Sequence, residues 1–572
     1  MSGIFGLYSR EKSHHEERCV EYFYSYRAEN IINEQFNFEN FSYGRSVINK
    51  FIDDRILFEN SDLIIAFEGV CYNKRRGELI DFILKEFKKT KMEFLLQLKG
   101  LFSGFIFSKD SSDLYVFNDP LSTKPIYYFQ NHSIFLFSSE LKVVSKFLTK
   151  NKFPVEQEID AWRCILTFGY LLENLTPIKN VKKLRYGSYL HVNLVSNSKH
   201  IHHYYEFPTP NSIEFSNHNL LKSISQVIST AVQNEWSKDL EYNYDHFSFL
   251  SGGLDSRFNL LLANQLGYEN INSLTFSESG TLDEKIADKI SSDYGFNHTF
   301  LALDDGTYLE ENLEKYVQAS DGVVVLHGAA HLQYSISKMN FNSFGLGHSG
   351  QIGDVIFGSY YREGSISENL NKACYNFDLD IINKITLMNQ LRGNNFHGDT
   401  PELFLYKNRA INGILNGDRV ANNYFDTSSP FYDIDLIELG LNIPKRFKQN
   451  ARLYRNLISK MYPFMTQYKW QQTGIRPKVG VKNEVYSFLI RLKRFSQRKF
   501  GLKTDNMNPF NIWYSNNHLF ELNVINTFNS NIHYIDDIEL KNDIIKTFSS
   551  DDTSNKLAAL TVLLSIKMHF NS

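Results

Sequence analysis

Residues 246–267 read HFSFLSGGLDSRFNLLLANQLG, an apolar strand-like stretch, a turn of small residues and a helix-like run. A turn joining a parallel strand to a helix brings backbone N–H groups and the helix N-terminus to the carboxyl edge of the sheet, where anions bind. Gly252 and Gly253 let the backbone approach oxygen atoms closely, and Ser251 and Ser256 add hydroxyl donors. A single carboxylate, Asp255, suits such a place when it holds a hard cation that bridges phosphates. A ligand-free turn needs none of this. Five fixed residues in this order would arise by chance on the order of one time in a thousand in a chain of this length. The reading is a phosphate cradle.

Working outward, helix-like and strand-like segments alternate: Asn219 to Trp236, Phe247 to Leu250, Arg257 to Leu266, Ile271 to Phe276 and Asp283 to Tyr294. That order predicts a parallel sheet wrapped by helices on both faces. The first 200 residues read differently. Leu63 to Phe67 is a short strand, and Gly104–Phe107 with Leu114–Phe117 flanks a polar tip from Lys109 to Asp113. Ile126–Phe129 and Ile134–Phe137 repeat that hairpin, and Gly77 to Lys88 has the spacing of a surface helix. Phe207-Pro208-Thr209-Pro210-Asn211-Ser212 reads as a linker, and from about Ser367 onward the pattern is mostly helical.

At 572 residues the chain exceeds one ordinary core. With 61 basic against 64 acidic residues the net charge is −3, which disfavours a nucleic-acid partner. Cys19, Cys71, Cys164 and Cys374 form no paired motif and read as reduced thiols. The N-terminus has no signal-peptide pattern, and the apolar run Leu557 to Ile566 is about half of what a bilayer needs. A cytoplasmic protein without a membrane partner is expected.

The turn resembles the pyrophosphate loop of the N-type ATP pyrophosphatases, and most closely that of the asparagine synthetase B-like family. Ser273-Leu274-Thr275-Phe276 resembles the family's second strand, Asp283-Glu284 with Ala287 the following helix, and Ser349 to Gly358 the S-G-E-G-x-D-E-L-F-G loop. Ser429-Pro430-Phe431-Tyr432-Asp433 resembles V-P-F-L-D. Upstream, Met1 to Gly6 resembles the M-C-G-I-x-G start of class II glutamine amidotransferases. Asn118 to Tyr128 resembles R-D-P-L-G-x-K-P-L-Y-Y, and Ser138 to Lys142 resembles A-S-E-L-K.

The resemblance implies an α/β protein of two domains. Residues 1–207 would form an αββα N-terminal-nucleophile-like antiparallel sandwich, a degenerate type 2 amidotransferase domain. Residues 213–480 would form a doubly wound parallel-sheet ATP pyrophosphatase domain, followed by a helical extension over 481–572. It implies ATP and Mg²⁺ as cofactors, with Leu250, Ser251, Gly252, Gly253, Asp255, Ser256, Phe276, Ser349 and Gly350 holding ATP. Asp255 and Asp354 would hold the metal, and Asp255, Arg452 and Ser2 stand at the catalytic positions. The partner would be a small-molecule or peptide carboxylate substrate, and a homodimer is left open.

Several positions depart from the family. Ser2 replaces the nucleophilic Cys, a weaker nucleophile at neutral pH. Glu68-Gly69-Val70 replaces N-G-E, putting a carboxylate where an oxyanion needs donors, while Arg45 matches the Arg that holds the glutamine carboxylate. Glutamine hydrolysis is expected to be lost. Gln351 replaces a Glu, Val355 an acidic residue, and Arg452 is the nearest cation to the place of a missing Lys. His327 and His331 lack an H-E-x-x-H frame and read as structural or substrate-contacting, and His348 reads as the better substrate contact.

The expected activity is that of an asparagine synthase (glutamine-hydrolysing)-like, ATP-dependent amide-forming ligase that releases pyrophosphate and AMP. The alternatives are intramolecular amide formation, as in β-lactam synthetase or lasso-peptide cyclase, and amidation of a sugar acid. A non-catalytic binding protein is disfavoured by the retained loop with Asp255 and Asp354.

Overall fold

Short, aromatic-rich runs that alternate inward and outward favour antiparallel pairing, and the first two hundred residues fold that way. The computed structural model describes residues 3–11, 17–23, 30–210, 217–480, 485–486, 489–490, 492 and 506–571. The strands are β1 (Gly3–Ser9), β2 (Ile31–Phe38), β3 (Phe41–Ile48), β4 (Ile56–Glu59), β5 (Leu63–Cys71) and β6 (Gly100–Ser108). They continue with β7 (Asp113–Asn118), β8 (Tyr127–Gln130), β9 (Ile134–Ser138), β10 (Lys182–Lys183), β11 (Ser188–Asn193) and β12 (Ser198–His203). One sheet runs β10-β8-β9-β1-β3-β2 and the other β12-β11-β7-β6-β5-β4. All their pairings are antiparallel.

Ile4, Phe41, Tyr43 and Phe137 of the first sheet face Ile64, Phe105, Phe107 and Val116 of the second. The Phe41 and Phe105 rings meet edge-on at 5.7 Å. Outside, α1 (Leu79–Thr90) lays Leu79, Ile83 and Phe87 against Phe67, Phe102 and Ile106, so the predicted surface helix has one buried face. Helix α2 (Leu141–Lys150) covers the other sheet, completing the four layers of the αββα sandwich.

The second domain alternates α4 (Asn217–Glu241), β13 (Asp245–Phe249), α5 (Asp255–Gln265), β14 (Asn272–Ser277), α6 (Leu282–Tyr294) and β15 (Asn297–Ala302). With β16 (Phe344–His348) and β17 (Thr427–Ser428), the sheet order is β15-β14-β13-β16-β17, all parallel. The chain winds from β13 toward β15 in one direction and returns to β16 on the other side. The loops after β13 and β16 therefore open onto one crevice, the place where doubly wound sheets bind ligands.

The C-terminal helix Thr553–Phe570 is apolar almost all round, as a helix enclosed on every side must be. It packs against α2 and α3 (Ile159–Thr167) of the first domain, and against α7 (Glu314–Ala319) and α8 (Leu326–Ser337) of the second. The run Leu557 to Ile566 is thus part of a core shared by both halves, although the segment beyond 480 reads in sequence as an appendage. Among the described residues, no helix is long and apolar enough to cross a membrane.

Candidate active site

The turn after β13 is braced from within. Ser256 Oγ accepts from the Ser251 amide at 3.1 Å and lies 2.9 Å from Ser251 Oγ, which accepts from the Gly253 amide at 3.2 Å. Asp283, opening α6, accepts from the Gly252 amide at 2.9 Å. Arg257, 1% exposed, donates to the carbonyls of Gly252 at 3.0 Å and Lys469 at 2.6 Å. Burial drops its guanidinium to about 10. These bonds set the turn's shape and leave Asp255 projecting beyond it.

The loop after β16 comes to meet Asp255. The Asp354 amide donates to Asp255 Oδ2 at 3.2 Å, and a Cβ on Gly353 would stand 2.7 Å from Asp255 Cγ. That approach is why a glycine occupies position 353. Asp255 Oδ1 is buried without a partner, and neither Asp255 nor Asp354 forms an ion pair with a described residue. Burial, then the neighbouring Asp354 charge, pushes Asp255 up to about 8. Asp354 is raised too, chiefly by burial. Two neighbouring hard-oxygen donors with raised proton affinity, one with an orphaned oxygen, are the donor set a Mg²⁺-sized cation fits.

Two cavities meet at this turn. One, about 380 Å³, is lined by Leu250, Ser251, Ser256, Phe276, Ser349 and Gly350, all expected ATP contacts, and by Gln351, Asp418 and His331. The other, about 1000 Å³, holds Gly253, Asp255, Asp354, Arg362, Lys448 and Tyr454. The structure thus divides the expected nucleotide residues between the two sides of one loop, with Gly252 engaged by Asp283 between them. Arg452 is exposed and lines a third cavity of about 460 Å³ with Arg446 and Arg455. The third cavity shares Gln449 and Asn450 with the second, so Arg452 stands next to the carboxylates' cavity without lining it. Two cations do line that cavity: Arg362, which donates to the Ser359 and Tyr361 carbonyls at 2.8 and 2.6 Å, and Lys448, held by both Glu402 oxygens at 2.7 and 2.8 Å.

Asp418 went unnoticed in the sequence because no motif surrounds it. It is buried, accepts from Gln351 Nε2 at 2.7 Å and from Tyr432 OH at 2.7 Å, and is pushed up to about 7 by burial. The Tyr432 bond and the Lys124 charge oppose that rise. The only signal was Tyr432, in a segment already recognised.

Of the three histidines, His348 departs from the expectation. His348 is fully buried and turned away from the crevice, with Nε2 2.8 Å from Asp239, Nδ1 3.0 Å from Ser428 Oγ, and its ring stacked 4.0 Å from Trp236. It is a core residue, not a substrate contact. His327 and His331 are both held down to about 4 by burial, so they are neutral, and His331 alone reaches the cavity, 5.6 Å from the Phe276 ring.

The residues expected at a glutamine pocket are engaged within the protein. Glu68, 1% exposed, pairs with Arg55, which also pairs with Asp426 of the second domain. Lys124 pairs with Asp426 and lies 3.6 Å from Glu68, completing two cations and two carboxylates across the domain boundary. Arg45, expected to hold a glutamine carboxylate, instead donates to Glu34 and to the Arg55 carbonyl, each at 2.6 Å. Val70 is sealed against Phe51, Tyr242 and Leu346, and a side chain on Gly69 would strike the Leu101 carbonyl. Ser2 lies outside the described residues, so its distance from Gly69 is not defined.

With this geometry in view, the comparisons fall into place. Residues 58–205 match the family described as glutamine amidotransferase domain, and residues 224–408 match that described as asparagine synthase. The chain belongs to the asparagine synthetase B-like family. Among the family's curated members, the putative asparagine synthetase (glutamine-hydrolysing) 2 of Methanocaldococcus jannaschii is 25% identical over 330 residues, covering 54% of this chain and 62% of its own. The asparagine synthetase (glutamine-hydrolysing) 1 of Bacillus subtilis is 25% identical over 324 residues, covering 54% of this chain and 49% of its own. The match therefore spans less than two thirds of either family member. Among solved structures, the allosteric regulatory enzyme of purine biosynthesis covers 52% of this chain and 80% of its own at 8% identity. Its TM-score of 0.26 is too low to bear on this member of the family.

Proposed function

We propose that this chain is an ATP-dependent amide-forming ligase that activates a carboxylate as an acyl-adenylate and has lost glutamine hydrolysis. The observation that carries the reading is Asp255, half-buried with one enclosed, unpaired oxygen beside Asp354, on a serine- and glycine-built turn where two cavities meet. A substrate carboxylate oxygen attacks the α-phosphorus of ATP, the bond to the β-phosphate oxygen breaks, and pyrophosphate leaves. An amine then attacks the acyl carbon, AMP leaves with the C–O bonding pair, and the amine's surplus proton passes to a base. The first step is needed because a free carboxylate is a poor electrophile, whereas a mixed anhydride carries a good leaving group.

The residues divide the work. Ser251, Ser256 and the turn's free amide edge bind and orient phosphate oxygens, and Leu250 and Phe276 exclude water from the nucleoside. Asp255 and Asp354 would hold Mg²⁺, which when bound supplies positive charge against the triphosphate. Asp418, oriented by Gln351 and Tyr432, accepts the proton from the attacking amine. The loss of glutaminase action is supported by Glu68, Arg45 and Val70, all engaged in packing or ion pairs where a glutamine site needs them free. That closure also favours a second reading, in which the amine belongs to the substrate itself and the amide forms intramolecularly.

The deciding experiment is Asp255→Ala. It should lower pyrophosphate release at least about 10³-fold, since it removes a metal ligand, while leaving the circular dichroism spectrum unchanged. Release at the parental rate from a folded variant would overturn the assignment.

A further inference from the structure

The cavity of about 380 Å³ beside the turn changes character with distance from the sheet. Near β13 and β14 it presents Ser251, Ser256 and Phe276. Farther out it is walled by Val323, Val324, Val325, Leu332, Ile414 and Tyr375. No Lys or Arg is among its described lining residues. Its charged or titratable groups are Asp283, bonded to the Gly252 amide; Asp418, bonded to Gln351 and Tyr432; neutral His331; and the Tyr375 phenol. The guanidinium at its edge, Arg409, lies over the Tyr375 ring at 5.1 Å and donates to the Lys372 carbonyl at 2.6 Å.

Glycines keep this outer part open. A Cβ on Gly417 would meet nothing within 4 Å, and one on Gly328 would reach only Val325 and Val324, at 3.6 and 3.9 Å. Space is therefore available for a side group on the carboxylate to be activated, and the surroundings specify its chemistry. An amino-acid acceptor such as aspartate carries a second carboxylate into the cavity. Among the described lining residues that carboxylate would find no Lys or Arg to pair with, only another carboxylate, Asp418. An alkyl or aryl group meets the apolar wall of Val323, Val324, Val325, Leu332 and Ile414, and each methylene it buries there tightens binding by about fourfold.

We propose that the carboxylate activated by this protein is borne on an uncharged, apolar alkyl or aryl group, seated between Val323–Val325 and the Gly413–Gly417 turn of helix. The inference rests on the adenylation reading above and narrows its substrate class. It sets the chain apart from the relatives named asparagine synthetases.

The test uses the full chain with ATP, Mg²⁺ and radiolabelled pyrophosphate, measuring carboxylate-dependent ATP–pyrophosphate exchange. The probes are L-aspartate, L-glutamate, 3-phenylpropionate and the straight-chain acids from butanoate to decanoate. Expected is exchange with the apolar acids, its apparent KM falling two- to fourfold per added methylene until the cavity is full, and at least 100-fold lower kcat/KM with L-aspartate. Gly417→Leu should cut exchange with the longer acids at least tenfold while leaving calorimetric ATP affinity within twofold of the parent. Should that variant fail to fold, Val324→Thr, which exchanges a methyl for a hydroxyl, should raise the KM for octanoate about fivefold. Exchange with L-aspartate equal to the best apolar acid would overturn the proposal, as would exchange with no acid while ATP still binds. If the parent binds no ATP, the adenylation reading falls instead. Octanoate titrated alone by calorimetry then decides the cavity's preference, binding lost in Gly417→Leu supporting it and no binding overturning it.

Discussion

Two sets of carboxylates lie in this molecule, one buried at the domain boundary and one opening onto the crevice, and they are built on opposite terms. At the domain boundary, Glu68 and Asp426 are matched by Arg55 and Lys124, all four almost wholly withdrawn from solvent. In the crevice, Asp255 and Asp354 face each other with no paired cation among the described residues, and Asp255 retains its proton to about 8. A neutralised cluster can serve only as structure, because its charges are already met. An uncompensated pair costs stability and persists where something absent from the folded chain completes it. The contrast separates carboxylates that fasten the two domains together from a pair that the proposed function assigns to ligand binding.

Four measurements sharpen or break this comparison. Asp418 belongs with the crevice, so Asp418→Asn should slow amide formation about 10²–10⁴-fold while sparing ATP–pyrophosphate exchange. The parent's amide-forming step should rise with pH and level off above about 7, as Asp418 loses its proton. A flat pH profile, or equal loss of both half-reactions, would remove Asp418 from proton transfer.

At the boundary, Arg55→Met should destabilise the protein by about 3–5 kcal/mol in denaturant unfolding, because Glu68 and Asp426 would be left with one cation. Adding Glu68→Met should recover much of that loss. A double variant no better than the single one would mean that Arg55 acts through packing alone.

A smaller effect has the opposite sign. Asp255 is held well above its ordinary carboxylate range in the folded chain, so between about 4 and 8 the folded state binds a proton that the unfolded state does not. Stability is full below that window and falls as pH rises through it. With chelator present, Asp255→Asn should raise the onset of thermal unfolding by a few degrees at pH 8 and leave it unchanged near pH 4. Equal onsets at pH 8 would show that the carboxylate is not isolated from solvent. The smallest expected effect is none. Glutamate release from glutamine should stay at background in the parent and in Ser2→Cys, since lost oxyanion donors cost about 10²–10³ each and a new thiol restores none of them. Brisk release by either would reopen the glutamine pocket.

The elements around the turn were readable because their causes are local. Apolar runs at strand and helix spacing placed β13, α5, β14 and α6 within a few residues, and Gly350 and Gly353 of the loop after β16 answer to backbone that must pass close to Asp255. Single-sequence spacing did not reveal β10, β15 or β17. Each is short or half-exposed, and its pairing rather than its own pattern makes it a strand.

Length, periodicity and the small-residue turn therefore determined two domains, a parallel sheet with its crevice, and Asp255, while resemblance to a family loop supplied Asp354. Those properties are carried within a few residues of backbone. Tertiary structure alone decided the rest. It joined Arg55 and Glu68 to Asp426 across more than 350 positions, set Asp418 between Gln351 and Tyr432, and turned His348 into the core. It also left Arg452 outside the carboxylates' cavity and enclosed the C-terminal helix between both domains. A charge has no assigned partner until the chain is packed, because its energy depends on burial and on groups that sequence places anywhere.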